Sequence, residues 1–135
     1  MTLLYVGDEP LEVAKHLAAV DSPTMGAVVT FIGRVRDHDP GVDGPVAGIE
    51  YSAHPDVDSV LARLVAALPS DVLVAVSHRV GRLEVGDLAL VACVAAAHRD
   101  AAYAASRDLI ESIKRDLPVW KRQLQADGTA TWVGL

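Results

Sequence analysis

The chain has 135 residues, of which 12 are Lys or Arg, 18 are Asp or Glu and one is cysteine, giving a net charge of -6 and a hydrophobic fraction of 51%. A single domain over residues 1–135 is expected, because about 100–200 residues build one core. Cys93, the lone cysteine, excludes an internal disulfide and a cysteine-only metal site. The acidic balance argues against broad nucleic-acid binding, and no run reaches the roughly 18–20 apolar residues of a membrane span.

In chain order, the opening Met1-Thr2-Leu3-Leu4-Tyr5 lacks the basic region and cleavage site of a signal peptide, so a cytoplasmic location is expected. Pro10 to Val20 reads as an amphipathic helix with Leu11, Ala14, Leu17 and Ala18 on its apolar side, stopped by Asp21-Ser22-Pro23. Gly26 to Val35 is β-branched and nearly continuously apolar, as in a strand with both faces buried at its start. Arg34 and Arg36, two apart at its far end, share a face if the strand continues. Asp37 to Gly48 has the Gly, Pro and Asp content of a long functional loop or flap.

A short strand over Ala47 to Ser52 precedes a helix over Pro55 to Leu68, whose stripe is Val57, Val60, Leu61, Leu64 and Val65. Strands Val72 to Val80 and Asp87 to Ala97, linked by Gly81 to Gly86, are candidate antiparallel neighbours. The clearest helix runs from Ala101 to Asp116 with Asp100 as N-cap and Ala102, Ala105, Leu109, Ile113 and Leu117 lining one side. Pro118 ends it and turns Val119-Trp120-Lys121-Arg122 onto another path. Thr129 to Val133 is a last short strand. The order α, β, β, α, β, β, α, β predicts a mixed α+β domain.

Phosphate loops, dinucleotide fingerprints and metal or nucleophile motifs are absent from the sequence. Cations carry the chemistry that remains. Two of the three lysines, Lys114 and Lys121, bracket the helix-breaking Pro118, either as a solvated helix end or as a pocket. His98-Arg99 stands where a strand meets a helix N-terminus, the geometry of an anion site, although Arg99 pairing with a surface carboxylate is as good a reading. His78-Arg79 closes another strand, where a structural role for Arg79 is expected. Arg36-Asp37-His38-Asp39 lacks the spacing of a metal site, and Cys93 reads as a buried small hydrophobe. Trp120 is a candidate pocket floor for a flat heterocycle.

Four segments together carry a resemblance: Gly26 to Arg36 followed by an Asp/His loop, His78-Arg79-Val80-Gly81 with Gly86-Asp87, Ala97-His98-Arg99, and Lys114 to Arg122 containing Pro118-Val119-Trp120-Lys121-Arg122. In this order and spacing they resemble the large catalytic subunit family of molybdopterin synthase, the MoaE family, from about Pro10 to Val133. The resemblance implies an α+β fold with an α/β hammerhead and a central homodimer within a heterotetramer. It implies as partners a small ubiquitin-like sulfur carrier, whose C-terminal Gly-Gly thiocarboxylate enters the pocket, and cyclic pyranopterin monophosphate, which receives two sulfur atoms. No metal or other cofactor is implied.

Carried across by position, the family's pocket falls on Arg34, Arg36, His98, Arg99, Lys114, Lys121 and Arg122. The implied roles are phosphate binding by Arg36, His98 and Arg99, the last two across a dimer, and thiocarboxylate binding, oxyanion stabilisation or proton transfer by Lys114 and Lys121. Lys114 is the expected essential group, with Lys121, Arg115 and Arg122 lowering its pKa if the pocket is dry. One position departs from the family: Gln123 stands where a Glu commonly follows the Lys-Arg pair. That departure sustains a second reading, a non-catalytic carrier- or anion-binding module of the same fold.

Overall fold

Extended chain exposes alternate side chains to opposite faces, so an unbroken apolar strand must be covered on both sides. Leu88 to Ala96 is such a strand, buried along nearly its whole length. The computed structural model describes residues 3–39, 44–133 and 135. Along them run β1 (Leu3–Gly7), α1 (Val13–Ala19), β2 (Ala27–Arg34), β3 (Val46–Ala53), α2 (Val57–Ala66), β4 (Leu73–Arg79), β5 (Gly81–Glu84), β6 (Leu88–Ala96), α3 (Arg99–Asp116), β7 (Val119–Gln125) and β8 (Ala130–Val133). The result is the expected mixed α+β fold.

Two four-stranded sheets form, ordered β1-β4-β6-β2 and β5-β3-β7-β8. β4 and β6 are antiparallel neighbours, β2 runs antiparallel to β6, and β1 joins β4 in parallel. Helix α1 packs on β4 and β6 through Ala19 and Val20 against Ala75, Cys93 and Ala95. The opposite face, carrying Val74, Val76, Ala92 and Val94, meets Ala105, Leu109 and Ile113 of α3 in a core that also takes in Ile49, Tyr51 and Leu83 of the second sheet. Coverage on both faces explains the continuous apolar run of β6. It also makes Cys93 a buried residue, its thiol pushed up by burial and touching Thr30 Oγ1 at 3.4 Å.

Three strands escaped the sequence reading. β1 is a five-residue edge whose parallel partner lies about 70 residues away in sequence. β5 occupies the segment read as a linking turn: Gly81, at φ 90, starts it, and Leu83 is fully buried between exposed Arg82 and Glu84. Gly48 lets β3 approach it, since a Cβ there would lie 2.7 Å from the Leu83 carbonyl oxygen. β7 follows Pro118 directly, where the sequence predicted only a change of path.

Helix α1 is shorter than predicted and turned about its axis. Glu12 is extended, and the buried positions are His16 and Ala19 while Leu17 is exposed. A histidine can face the core here because its Nε2 meets Ser77 Oγ at 2.6 Å and its Nδ1 the Glu12 carbonyl oxygen at 2.7 Å. Helix α3 starts two residues earlier than predicted: His98 is the N-cap, its carbonyl accepting from Ala102 N–H, and Asp100 sits in the first turn. Within the predicted flap, Val46 N–H donates to the Asp37 carbonyl at 2.8 Å, and residues 40–43 lie outside the described residues.

His78 is a second buried histidine, closed under the Tyr51 ring at 5.0 Å between centroids. Its Nδ1 donates to the Arg79 carbonyl at 2.8 Å, which leaves the lone pair of the neutral ring on Nε2. Burial pushes its pKa from 6.5 down to about 4; the bond to Arg79 opposes the shift and the Lys114 charge adds to it.

Two stability measurements test these packing arguments. Leu109→Ala, at a fully buried position, should lower unfolding free energy in urea by about 2–5 kcal/mol. Below pH 6.5 the unfolded chain binds a proton at residue 78 that the folded chain refuses until about pH 4. Stability should therefore fall as pH drops through that window, by on the order of 3 kcal/mol from this group. His78→Asn keeps a donor for the Arg79 carbonyl, and urea titrations at pH 7 and 4.5 should show a smaller acid loss in that variant.

Candidate active site

The register of β3 against β7 sets the main wall of the site. Ile49 pairs with Gln123 and Tyr51 with Lys121, all four facing inward, while the intervening pair Glu50 and Arg122 points the other way. The first sheet supplies a second wall from the ends of β2, β4 and β6, including Gly33, Arg34, His78 and Leu90. Helix α3 runs back along this sheet so that its last turn brings Lys114 to the same place. Between these walls is a cavity of about 270 Å3.

Arg34, Arg36, Lys114 and Lys121 line it, against one acidic side chain among the described residues, Asp39. Arg34 and Arg36 share the cavity side, as their spacing predicted, with Val35 buried between them. Lys121 forms an ion pair with Asp39 at 3.5 Å, both side chains largely buried. Asp39 also accepts a hydrogen bond from Gln123 Nε2 at 2.6 Å. Gln123 is only 2% exposed, and its Oε1 meets no hydrogen-bond donor among the described residues.

The two lysines differ. Lys114 has no ion-pair partner among the described residues, and its pKa is lowered first by desolvation in the cavity wall and then by the Lys121 charge. Arg115 and Arg122, expected to assist, do not: Arg115 pairs with Asp116 at 3.3 Å, and Arg122 with Glu50 at 2.7 Å. Tyr51 is pushed up to about 12 by burial, with the Asp39 carboxylate adding to the shift, so its phenol stays protonated at neutral pH. The cavity therefore offers cations for an anionic ligand, one ammonium whose pKa is lowered by desolvation and by the Lys121 charge, and a neutral imidazole.

Four sequence-predicted residues stand elsewhere in the chain. Arg122 lies on the far face of β7, 5.6 Å from the Trp132 ring centroid. Trp120 shares that face and is half exposed, so it floors no part of this cavity. His98 and Arg99 line a separate shallow depression with Gly26 and Ala97 at the opposite end of the β2–β6 pair. At 1.5 Å per residue along α3, Arg99 is roughly 22 Å from Lys114. Arg79 is structural, as expected, contacting the Asp8 carbonyl and Asp87.

Asp39, Tyr51 and His78 were not recognised as site residues from the sequence. Tyr51 had a signal, since it alternates with Ile49 on the inward side of a predicted strand. Asp39 had none, because a loop carboxylate acquires a partner only through folding. Among the described residues no group of three or more His, Cys, Asp or Glu side chains is placed to hold a metal ion.

Comparison with known proteins places this geometry in a family. The family model described as MoaE protein matches residues 6–116. The molybdopterin synthase catalytic subunit 1 of Mycobacterium tuberculosis is 41% identical over 94% of this chain and 87% of its own length. The molybdopterin synthase catalytic subunit of Bacillus subtilis is 34% identical over 93% and 80%. The crystal structure of molybdopterin synthase from Staphylococcus aureus superposes with a TM-score of 0.86 at 29% identity, covering 96% of both chains. A structure described as a complex of subunits 1 and 2 of molybdopterin-converting factor from Helicobacter pylori shares the fold at a TM-score of 0.75 and 18% identity, over 98% of this chain and 88% of that one. The chain belongs to the MoaE family, whose curated members matched here are molybdopterin synthase catalytic subunits.

Proposed function

We propose that this chain is the catalytic subunit of a molybdopterin synthase, moving sulfur from the thiocarboxylated C-terminus of a small ubiquitin-like carrier onto cyclic pyranopterin monophosphate to build the dithiolene. The observation that carries this reading is the convergence of Lys114 and Lys121 with Arg34 and Arg36 on one cavity in a member of this family. A thiocarboxylate and a phosphate are both anions, and four cationic side chains against one acidic side chain among the described residues suit them.

The chemistry follows from the charges. Once the carrier's sulfur has displaced an oxygen substituent from a pterin carbon, that oxygen leaving with a proton, the carrier carbonyl and the pterin share a thioester. Water adds to that carbonyl, the oxygen that becomes negative is stabilised by Lys121, and the bond between carbonyl carbon and sulfur breaks. Sulfur stays on the pterin and the carrier leaves as a carboxylate. Lys114, whose pKa is lowered, moves the protons this requires.

His98 and Arg99 are too far away to join the cavity of their own chain, so in this reading they serve the cavity of a second copy as phosphate ligands. Edge strand β2, with Val28 and Ile32 half exposed, supports a homodimer that would bring them there. Two such copies with two carriers make a heterotetramer. Arg122, paired with Glu50 on the outer face of β7, is in the same reading a docking contact beside the carrier tail. One core shared by both sheets supports residues 1–135 acting as a unit, and a free, buried Cys93 fits a reducing cytoplasm. No helix among the described residues is long and apolar enough to cross a membrane.

The test is turnover with thiocarboxylated carrier and cyclic pyranopterin monophosphate, assayed as dithiolene product. Lys114→Ala should lower the rate by about 10²–10⁴-fold, the range for loss of a proton-transfer group, with carrier binding retained. Carrier binding without any product from the unaltered chain would point instead to a non-catalytic module.

A further inference from the structure

Two ammonium groups facing one cavity repel each other, and each is costly to bury without a counter-charge. Among the described residues one acidic side chain, Asp39, lines the cavity, so how it is held bears on what each lysine can do. Asp39 contacts Lys121 at 3.5 Å, with 15% and 19% of the two side chains exposed. It is not placed by its own strand, because β2 ends at Arg34. Among the described residues, the backbone bond from Val46 N–H to the Asp37 carbonyl holds the loop two residues before it, and Gln123 Nε2 donates to its carboxylate at 2.6 Å. Gln123 is itself fully buried and in register with Ile49.

We propose that Asp39 is a positioning residue for Lys121, and that Asp39 and Gln123 form one carboxylate–amide unit in which the loop after β2 supplies the acidic charge that β7 lacks at position 123. The inference deepens the sulfur-transfer reading and rests on it. Lys121, fixed against a buried carboxylate, is held as a stationary cation for the thiocarboxylate and the oxyanion. Lys114, with no ion-pair partner among the described residues, is the one left to exchange a proton. The cavity thus holds an acidic charge one hydrogen bond away from Gln123.

Exchanging the two groups tests this. Asp39→Asn keeps the shape and the capacity to bond Gln123 and removes only the charge; kcat should fall by about tenfold or more, as for a mispositioned reacting group, with KM for the carrier changing less. Asp39→Asn combined with Gln123→Glu returns the charge across the same bond and should recover kcat to within about threefold of the unaltered chain. Turnover undiminished in Asp39→Asn, or a double variant no better than Asp39→Asn, overturns the proposal. If Asp39→Asn fails to fold, the double variant carries the test alone, wild-type-like turnover supporting the proposal and loss overturning it.

A second readout does not need turnover. Asp39→Asn should lower Tm in the unaltered chain and should not lower it in a Lys121→Met background, where it removes a carboxylate already stripped of its partner. Equal lowering in both backgrounds overturns the pairing. Absence of product from the unaltered chain, with this Tm coupling intact, would defeat the sulfur-transfer reading while the positioning of Lys121 stands.

Discussion

The pairing of β3 with β7 is the constraint on which the cavity depends. Because side chains alternate, one register puts Tyr51, Lys121, Ile49 and Gln123 on the inner face and sends Glu50 and Arg122 outward as a 2.7 Å ion pair. A slip of one residue would exchange the faces, placing Arg122 in the cavity and Lys121 in solvent. The outward ion pair and the buried inward residues favour the same alignment. Tyr51 then locks this sheet to the other through its edge-on contact with His78.

Much of the scaffold was legible in the sequence because burial leaves a pattern. β6 is apolar throughout since helices cover both of its faces, and α3 shows buried residues at helical spacing from Ala102 to Ile113. β7 was hidden for the opposite reason: two of its inward positions, Lys121 and Gln123, are polar because they serve the cavity, so the apolar alternation that marks a strand is missing where the chemistry sits. His16 misled in a similar way. A histidine on a short helix reads as solvent-facing unless its distant partner Ser77 is known.

The cation cluster was found in part from sequence. Lys114 and Lys121 are close in the chain, and Arg34 and Arg36 share a strand end, so local geometry was enough to single them out. Nothing local brings Asp39 beside Lys121 or His78 beside Tyr51, and nothing local separates His98 from Lys114. Those relations belong to the way the two sheets meet. The same assembly explains how a chain of net charge -6 presents a cationic cavity: most of the described acidic residues other than Asp39 are exposed, and the ends of β2, α3 and β7 gather positive charge at one point.

The β2–β6 ladder has a further consequence. It carries Gly26 and Ala97, beside His98 and Arg99, at one end and Arg34 at the other, so it works as a rigid spacer between two groups of cations. Its length is counted in residues at about 3.3 Å each, and its faces alternate, so adding one residue would lengthen the spacer and also turn the guanidinium of Arg34 to the wrong side. A one-residue change keeps direction only where the ladder absorbs it as an irregularity, as it already does between Gly33 and Arg34, where Ala89 has no partner in β2. The span between the two groups therefore changes in whole residues, and an odd step has to be taken up in a bulge.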